Sequence, residues 1–247
     1  MRRLLTLAAA CGGLLSGGIV GVAPVAHGPA LVTSRTNAGW TSGNWSGYAG
    51  SVGSPATSIT GEWQVPTITK TKGNSYSSAW IGIDGFTNTS LIQTGTEEDW
   101  AGGHAVYKAW WEILPANETV ISSIVVHPGD IFTAQITKGS GANWTIVIDD
   151  TTSGKSFSIT KSYSGPGASV EWILEAPEVN GSIATLAHYG KTYFINCGFD
   201  GGNAVFSAAN RGIMVQGGKH VSTPSKPDAA KDGFEVAYGA KTPPPPL

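Results

Sequence analysis

Two side chains, an amide and a carboxylate far apart in the sequence, are suited to act together on one substrate. Gln93 lies in LIQTGTEEDW (91–100), just before a Thr-Gly turn, and Glu171 lies in SVEWILEA. A side-chain amide does not titrate, and it offers two donors and one acceptor. Gln93 is therefore suited to orient a water and to donate to a developing oxyanion at any pH, while a carboxylate is suited to act as the base. Taken alone, either residue is more often an ordinary polar residue of a strand.

Other hydrolytic machinery is missing from the sequence. It contains no Gly-x-Ser-x-Gly nucleophile elbow, no His-Glu-x-x-His zinc motif and no paired Asp-Thr/Ser-Gly loops. The histidines are scattered singly and are predicted to be surface or structural residues: His27, His104, His127, His188 and His220. Cys197 lacks the flanks of a cysteine nucleophile and is predicted to be a buried small hydrophobe. We therefore expect no metal and no cofactor.

The elements that must position Gln93 and Glu171 are predicted to be strands. No long segment shows helical apolar spacing with caps. Short alternating runs recur instead between Gly, Asn, Ser, Thr and Pro, among them TGEWQVP, SAWIGID, AVYKAWWEIL and WTIVIDD. Many short strands between turn signals predict an antiparallel sandwich or barrel.

Strand alternation places tryptophans and acids together on one face. Trp80 shares a face with Asp84, and Trp110 shares one with Glu112, while the opposite faces are apolar. Glu171 likewise lies opposite an apolar face. Aromatic residues exposed beside acids indicate a groove that binds a ligand. The alternative is that these tryptophans fill a second, minor core, and periodicity leaves both interpretations open.

Carboxylates, tryptophans and Gln93 together fit two reaction classes. Glycosidases flank a sugar bond with two carboxylates and stack the ring on aromatic side chains. A water-activating hydrolase needs one carboxylate base and hydrogen-bond donors for an oxyanion. The presence of Gln93 favours the second class only weakly.

Five motifs in one order resemble those of the glutamic peptidases, also called eqolisins or the G1 family. They are SAWIGIDG, LIQTG, YKAWWEILP, HPGD and SVEWILEAPEV, and the upstream NWSGYA and GEWQVP are similar to that family's first strands. The match runs from residue 44 through 179. The resemblance implies an all-β sandwich of two curved antiparallel sheets, of the concanavalin A-like or jelly-roll type, with a concave substrate groove. It also implies endopeptidase activity at acidic pH on protein or peptide substrates.

Carried over residue by residue, the resemblance implies that Gln93 and Glu171 form a catalytic dyad. Glu171 would take a proton from a water held between the two side chains, and Gln93 would stabilise the oxyanion. Glu171 would then protonate the leaving amine. The other matching residues are implied to line the groove or to support the dyad: Trp80, Asp84, Glu97, Trp110 and Glu112. Of these, the tryptophans are expected to form apolar walls, and the acids are expected to hold the dyad by hydrogen bonds.

Two other functions fit the same face of the sheet. A carbohydrate-active enzyme or lectin on a similar sandwich would stack sugar rings on Trp80 and Trp110, with Glu171 paired to Glu112 or Glu175. A non-catalytic relative of the same fold would only bind peptides. The sequence leaves open whether Glu175 and Glu178 are site residues or solvated acids at a strand end.

The N-terminus and the composition indicate where the protein acts. Residues 1–30 have the layout of a secretory signal, with two arginines, an apolar run and small residues, although no clean cleavage position is visible. We leave that segment out of the fold and predict a short N-terminal segment (31–43), one β-sandwich domain (44–240) and a Pro-rich flexible tail (241–247). The prediction is a secreted monomer with no membrane segment after signal removal. With 13% charged residues and a net charge of -2, no basic patch suggests nucleic acid.

Overall fold

A computed structural model describes residues 25–246, and nearly all of its regular structure is β-strand. The strands in chain order are β1 (Val25–Ala26), β2 (Val32–Thr36), β3 (Gly39–Ser42), β4 (Trp45–Ser51), β5 (Ser58–Gln64), β6 (Ser78–Ile83), β7 (Ile92–Ala101), β8 (His104–Ile113), β9 (Thr119–Val120), β10 (Ile131–Lys138), β11 (Asn143–Asp150), β12 (Lys155–Ser162), β13 (Ser169–Glu175), β14 (Glu178–Val179), β15 (Ser182–Ile183), β16 (Lys191–Phe199), β17 (Gly202–Asn203), β18 (Arg211–Gln216), β19 (Lys219–Pro224) and β20 (Phe234–Tyr238). One 3-10 turn, Ala208–Asn210, precedes β18.

The strands form two large sheets that pack face to face. One sheet runs β9-β8-β7-β6-β13-β4-β18-β3-β2, and the other runs β12-β11-β10-β5-β16-β20-β19. The pairing of β18 with β19 joins them at one side. All of these pairs are antiparallel except β3 with β18, which is parallel. The predicted antiparallel sandwich is confirmed, and the sheet that contains β6, β7, β8 and β13 is called the site sheet below.

Alternation along the strands puts one face of the site sheet into the main core, as predicted. Ile81 and Trp172 are buried there against the second sheet. The indole N–H of Trp172 donates to the carbonyl oxygen of Thr60 at 2.8 Å, and that of Trp63 donates to the hydroxyl of Thr96 at 2.9 Å. These hydrogen bonds satisfy the polar atom of each indole across the sandwich, so the large rings are buried without an unpaired donor.

Within residues 25–246 no disulfide contributes to this core, and Cys197 is a buried free thiol. This position confirms the prediction of a small buried hydrophobe, and burial raises the pKa of the thiol well above its usual value. The stability of the sandwich therefore rests on packing of its apolar side chains.

The opposite face of the site sheet carries a second, smaller apolar cluster. Its members are Trp40, Trp45, Ala49, Trp80, Phe86, Leu91, Trp110 and Ile173. Trp80 and Trp110 are both fully buried. The alternative of a minor core is therefore realised on the same face that also carries Gln93 and Glu171.

The chain segment that covers this second cluster was outside the predicted domain. Residues 25–30, which we had set aside with the predicted signal, lie against the site sheet, and β1 pairs with β14. Residues 31–43 supply β2 and β3 to the same sheet. The rest of the predicted signal lies outside the described residues, and within them no helix is long and apolar enough to cross a membrane.

Candidate active site

Four residues form one row across the site sheet. Glu171 on β13 lies opposite Gly82 on β6, Gly82 lies opposite Gln93 on β7, and Gln93 lies opposite Glu112 on β8. Directly opposed residues of antiparallel strands project to the same face. Neighbouring strands are about 4.8 Å apart, so the backbones of Glu171 and Gln93 are roughly 10 Å apart with no side chain between them. No side chain of the intervening strand position therefore separates the acid from the amide.

Both amide protons of Gln93 are engaged. Its Nε2 donates to the backbone oxygen of His27 at 2.7 Å and to Oε2 of Glu112 at 2.7 Å. Both partners are acceptors, which fixes the orientation of the amide. The other end of the group, Oε1, is buried and has no hydrogen-bond partner among the described residues. Gln93 therefore presents a donor to a peptide carbonyl and a free acceptor at the same position.

Glu171 is a fully buried carboxyl group. Neither of its oxygens has a hydrogen-bond partner within the described chain. Burial raises the pKa of Glu171 well above its usual range, and the nearby charge of Asp84 raises it further. The Ser169 hydroxyl lies close enough to oppose this rise, but it does not meet hydrogen-bond geometry with either oxygen. A carboxyl group with both oxygens free is positioned to bind and activate a water.

Asp84 acts on Glu171 through its charge rather than through a hydrogen bond. Its backbone has φ 72°, in the left-handed region, and its carboxylate accepts hydrogen bonds from the segment between β12 and β13 and from Asn88 in the loop after β6. The donors are Tyr163 Oη at 2.6 Å, Gly167 N at 2.8 Å, Ala168 N at 2.7 Å and Asn88 Nδ2 at 2.9 Å. The expectation that Asp84 hydrogen-bonds the Gln93–Glu171 pair is wrong, because these donors already surround its carboxylate.

Glu112 does contact the pair as expected, since it accepts the hydrogen bond from Gln93. Burial raises the pKa of Glu112 to about 8, although the charge of His27 and its backbone N–H oppose the rise.

The two tryptophans differ from simple apolar walls. Trp80 donates its indole N–H to Oε2 of Glu175 at 2.8 Å, and Trp110 donates to the Ser78 hydroxyl at 3.1 Å.

A pocket beside Gln93 holds the imidazole of His27. The ring stacks on Trp110 with 3.7 Å between centroids and a 7° interplanar angle. Its Nδ1 lies 3.1 Å from Glu175, and its Nε2 lies 3.2 Å from Glu97 and 3.5 Å from Glu118. Burial alone would lower the pKa of His27, but the three carboxylates outweigh it and the pKa is raised well above the usual value. The pocket therefore favours an imidazolium.

Glu97 lies in this pocket and not beside the Gln93–Glu171 pair. Its second oxygen lies 2.6 Å from Nζ of Lys108, which also contacts Glu118. Burial acts to raise the pKa of Glu97, but His27 and Lys108 outweigh it and lower the pKa. The expected hydrogen bond from Glu97 to the pair is therefore wrong, and the residue instead connects His27 to Lys108.

Comparison with known proteins decides the family. A family model described as the Peptidase A4 family matches residues 43–238. The chain belongs to the peptidase A4 family. The resemblance to the glutamic peptidases is thereby confirmed, and the protein is a peptide hydrolase.

Relatives of this peptidase include fungal enzymes. Aspergillopepsin-2 of Aspergillus niger is 28% identical over 197 residues, covering 70% of each chain. The crystal structure of scytalido-glutamic peptidase with a transition state analog inhibitor shares 24% identity, with a TM-score of 0.68 over 79% of this chain and 98% of that one. Aspergilloglutamic peptidase from Aspergillus niger shares 25% identity, with a TM-score of 0.56 over 66% of this chain and 99% of that one. The fold is the same in these enzymes.

Several residues of this peptidase's site were missed by sequence reasoning. His27 falls within the predicted signal, Lys108 lies in the YKAWWEILP motif but was given no role, and Glu118 lies in no motif. Glu175 was not missed but left open by the sequence, and it lies four residues after Glu171 on the same strand face. It accepts from the indoles of both Trp45 and Trp80.

Among the described residues, the group whose spacing would suit a metal ion lies in the pocket around the His27 ring. Ligand atoms of His27, Glu97 and Glu118 lie within 4.8 Å of one another. The ammonium of Lys108, however, contacts both carboxylates. Because the ammonium of Lys108 already lies against both carboxylates, we assign no metal to this cluster.

Proposed function

We propose that this peptidase is a secreted acid endopeptidase whose catalytic dyad is Gln93 and Glu171. One observation carries the proposal. Nε2 of Gln93 donates a 2.7 Å hydrogen bond to a peptide carbonyl, that of His27, on the face where Glu171 lies with both oxygens unpaired. A substrate carbonyl in the same position would have an amide donor on its oxygen and a carboxyl group in the same row of the sheet.

The reaction follows from the free atoms of this pair. A water between the strands would bridge a carboxylate oxygen of Glu171 and Oε1 of Gln93, both of which lack protein partners. Glu171 takes a proton from the water, and the oxygen attacks the peptide carbon. The Gln93 amide stabilises the oxyanion, a contribution of about 3 kcal/mol for a single donor. Glu171 then returns the proton to the leaving amine.

Buried carboxyl groups support activity on the acid side of neutrality. Burial raises the pKa values of Glu98, Asp99, Glu112 and Glu175, so these acids hold their protons at low pH. As the pH rises they ionise, and mutual repulsion opposes the folded site. The base itself must be ionised. Burial raises the pKa of Glu171, so contact of its carboxyl group with water would allow it to ionise at lower pH.

Two further lines support the proposal. Scytalido-glutamic peptidase has been crystallised with a transition state analog inhibitor, and it has the same fold as this chain. The predicted secretory signal supports export, since it begins with two arginines and continues with an apolar run.

Cleavage of a denatured protein between pH 2 and 8 tests the proposal. Wild type is compared with Glu171→Gln and Gln93→Ala, with a chelator and a serine-hydrolase inhibitor present throughout. Glu171→Gln removes the base and should abolish cleavage, while Gln93→Ala should reduce kcat by about 10²- to 10³-fold. Matched controls are Glu62→Gln and Gln135→Ala on the second sheet, which should retain wild-type rates.

Two results would contradict it. Cleavage that survives both substitutions at the dyad would remove Gln93 and Glu171 from the mechanism. A rate maximum at neutral pH would leave the dyad in place but would overturn the acid assignment.

A further inference from the structure

Residues 25–31, the covering segment, run across the site face and are held there mainly through their backbone. The contacts are β1 with β14, Trp45 Nε1 to Gly28 O at 3.1 Å, Asn44 Nδ2 to Pro29 O at 3.1 Å, Ala30 N to Gly85 O at 3.0 Å and Leu31 N to Asn44 Oδ1 at 2.8 Å. Recognition through backbone groups in an extended conformation is how grooves bind peptides. The covering segment therefore occupies the groove as a peptide would.

The peptide bond between His27 and Gly28 is held by Gln93 of the proposed dyad, on the face of the sheet that also carries Glu171. The carbonyl oxygen of His27 accepts from Gln93 at 2.7 Å, and the backbone N–H of His27 donates to Glu112 Oε2 at 3.1 Å. The two polar groups of one residue are thus bound by neighbouring residues of the active-site row. Gly28 follows immediately and brings no side chain to the leaving-group side of the bond.

The pocket around the His27 side chain is complementary to it in shape and charge. The ring is fully buried and stacks on Trp110, and carboxylates from three different strands or loops face its two nitrogens. An uncharged aliphatic side chain in this pocket would leave Glu175 without a cationic partner, and Glu97 and Glu118 would then share the single charge of Lys108. Such burial of uncompensated carboxylate charge is costly. The pocket therefore discriminates in favour of an imidazole on the residue whose carbonyl Gln93 binds.

We propose that the His27–Gly28 bond is a self-cleavage site of this peptidase, and that the pocket of Trp110, Glu97, Glu118 and Glu175 selects histidine on the acyl side of the bond. This inference rests on the proposed function, since it uses the same dyad. The covering segment is both the first substrate of the groove and the obstacle to any other.

The step balances as a simple hydrolysis. One water adds across the bond, its oxygen joins the His27 carbonyl carbon, and the carbon–nitrogen bond to Gly28 breaks. One proton of the water passes through Glu171 to the Gly28 nitrogen, which leaves a carboxyl group on His27 and an amine on Gly28. Because the bond is already held beside the dyad, no encounter step is required. Release of the piece that ends in His27 then vacates the pocket.

The N-terminus of the purified protein tests the inference. The full chain is expressed and exported as wild type and as Glu171→Gln, and intact mass and N-terminal sequencing are compared. Wild type should begin at Gly28, whereas Glu171→Gln should begin at or before His27. Identical N-termini in the two proteins would overturn the inference, because another peptidase would then have produced the N-terminus of each. A thermal melt of Glu171→Gln confirms that the variant is folded.

A peptide in trans tests the pocket separately. The substrate has the sequence of residues 22–34, and its partner has leucine in place of His27. Wild type should cut the first between His27 and Gly28, with kcat/KM at least tenfold above that for the leucine peptide. Glu97→Gln should reduce this preference at least tenfold, while the control Glu62→Gln should leave it unchanged. Equal rates on the two peptides would overturn the selection of histidine.

Cleavage of denatured protein by the same wild-type preparation separates this inference from the proposed function. If denatured protein is cut but the His27–Gly28 bond stays intact both in the full chain and in the peptide of residues 22–34, the self-cleavage inference is wrong and the proposed dyad stands. If neither is cut, the proposed function fails and the inference fails with it.

Discussion

Glu171 and Gln93 face the same side of one sheet, and the position between them is a glycine. Gly82 opposes both residues in register, so no side chain separates the carboxyl group from the amide. The acid and the amide are thus held apart by a single strand rather than by a loop. A gap fixed by strand spacing is rigid, and rigidity is what a pair that must hold one water requires.

Gly82→Ala should damage activity more than stability. A methyl group at this position would lie 3.0 Å from Cζ3 of Trp80 and 3.1 Å from the carbonyl oxygen of Ile92, and it would project into the row between the proposed catalytic residues. We expect destabilisation of about 1–3 kcal/mol from overpacking and at least a tenfold loss in kcat/KM. Denaturant unfolding and peptide hydrolysis measure the two effects. Gly53→Ala is the control, since a methyl there meets nothing within 4 Å. Equal activity in both variants would show that the gap is not needed.

Strand alternation predicted the faces of the sandwich because each strand alternates strictly. Ile81 and Trp172 enter the main core, and Trp80 projects to the other face, as the period of two requires. The parallel pairing of β3 with β18 was not predictable, because it joins segments far apart in the sequence. Periodicity specifies which way a side chain points, but it does not specify which strand lies beside it.

The same limit explains the missed parts of the site. His27 belongs to a stretch whose composition matches a secretory signal, and only its place in three dimensions shows that it is buried among acids. Lys108 and Glu118 meet because β8 extends toward the short strand that follows. Gln93 and Glu171 could be proposed from the sequence because motif order, rather than any local property, distinguishes them from ordinary polar residues.

Asp84→Asn should shift the acid limb of the pH–rate profile to lower pH. The charge of Asp84 raises the pKa of Glu171, so removing that charge lowers the pKa and lets the base ionise earlier. Asparagine tolerates the left-handed backbone at this position, where φ is 72°. The measurement is kcat/KM against pH, with Asp149→Asn on β11 as the control. An acid limb that stays at the same pH, or shifts to higher pH, would contradict electrostatic coupling between Asp84 and Glu171.

Trp80→Phe should weaken binding of a histidine-containing peptide more than it slows chemistry. The substitution keeps the aromatic ring but removes the indole N–H that donates to Glu175 at 2.8 Å. That hydrogen bond favours the charged carboxylate, so its loss raises the pKa of Glu175 further and reduces the attraction for an imidazolium. We expect KM for the histidine peptide to rise severalfold with a smaller change in kcat. Trp111→Phe, on the opposite face of β8, is the control. A fall confined to kcat would place Trp80 with the reacting atoms instead.

Glu112→Gln should change how stability depends on pH. The folded pKa of Glu112 is about 8, against an ordinary value of 4.5, so the folded protein holds this proton more tightly than the unfolded chain does. The free energy of unfolding is therefore highest below about pH 4.5 and falls as the pH rises toward 8. For this one group the loss is several kcal/mol, on the order of 4. Glutamine is uncharged throughout and still offers an oxygen to Gln93, so the variant should lack this loss.

Urea unfolding of wild type and Glu112→Gln at pH 4 and pH 8 measures that difference. The variant should gain stability relative to wild type at pH 8 by a few kcal/mol more than at pH 4. Glu62→Gln on the second sheet is the matched control and should show no such change between the two pH values. If Glu112→Gln and wild type differ by the same amount at both pH values, Glu112 does not hold its proton near neutrality. In that case the carboxylate beside Gln93 is ionised during catalysis, and the acid side of the activity must come from other groups.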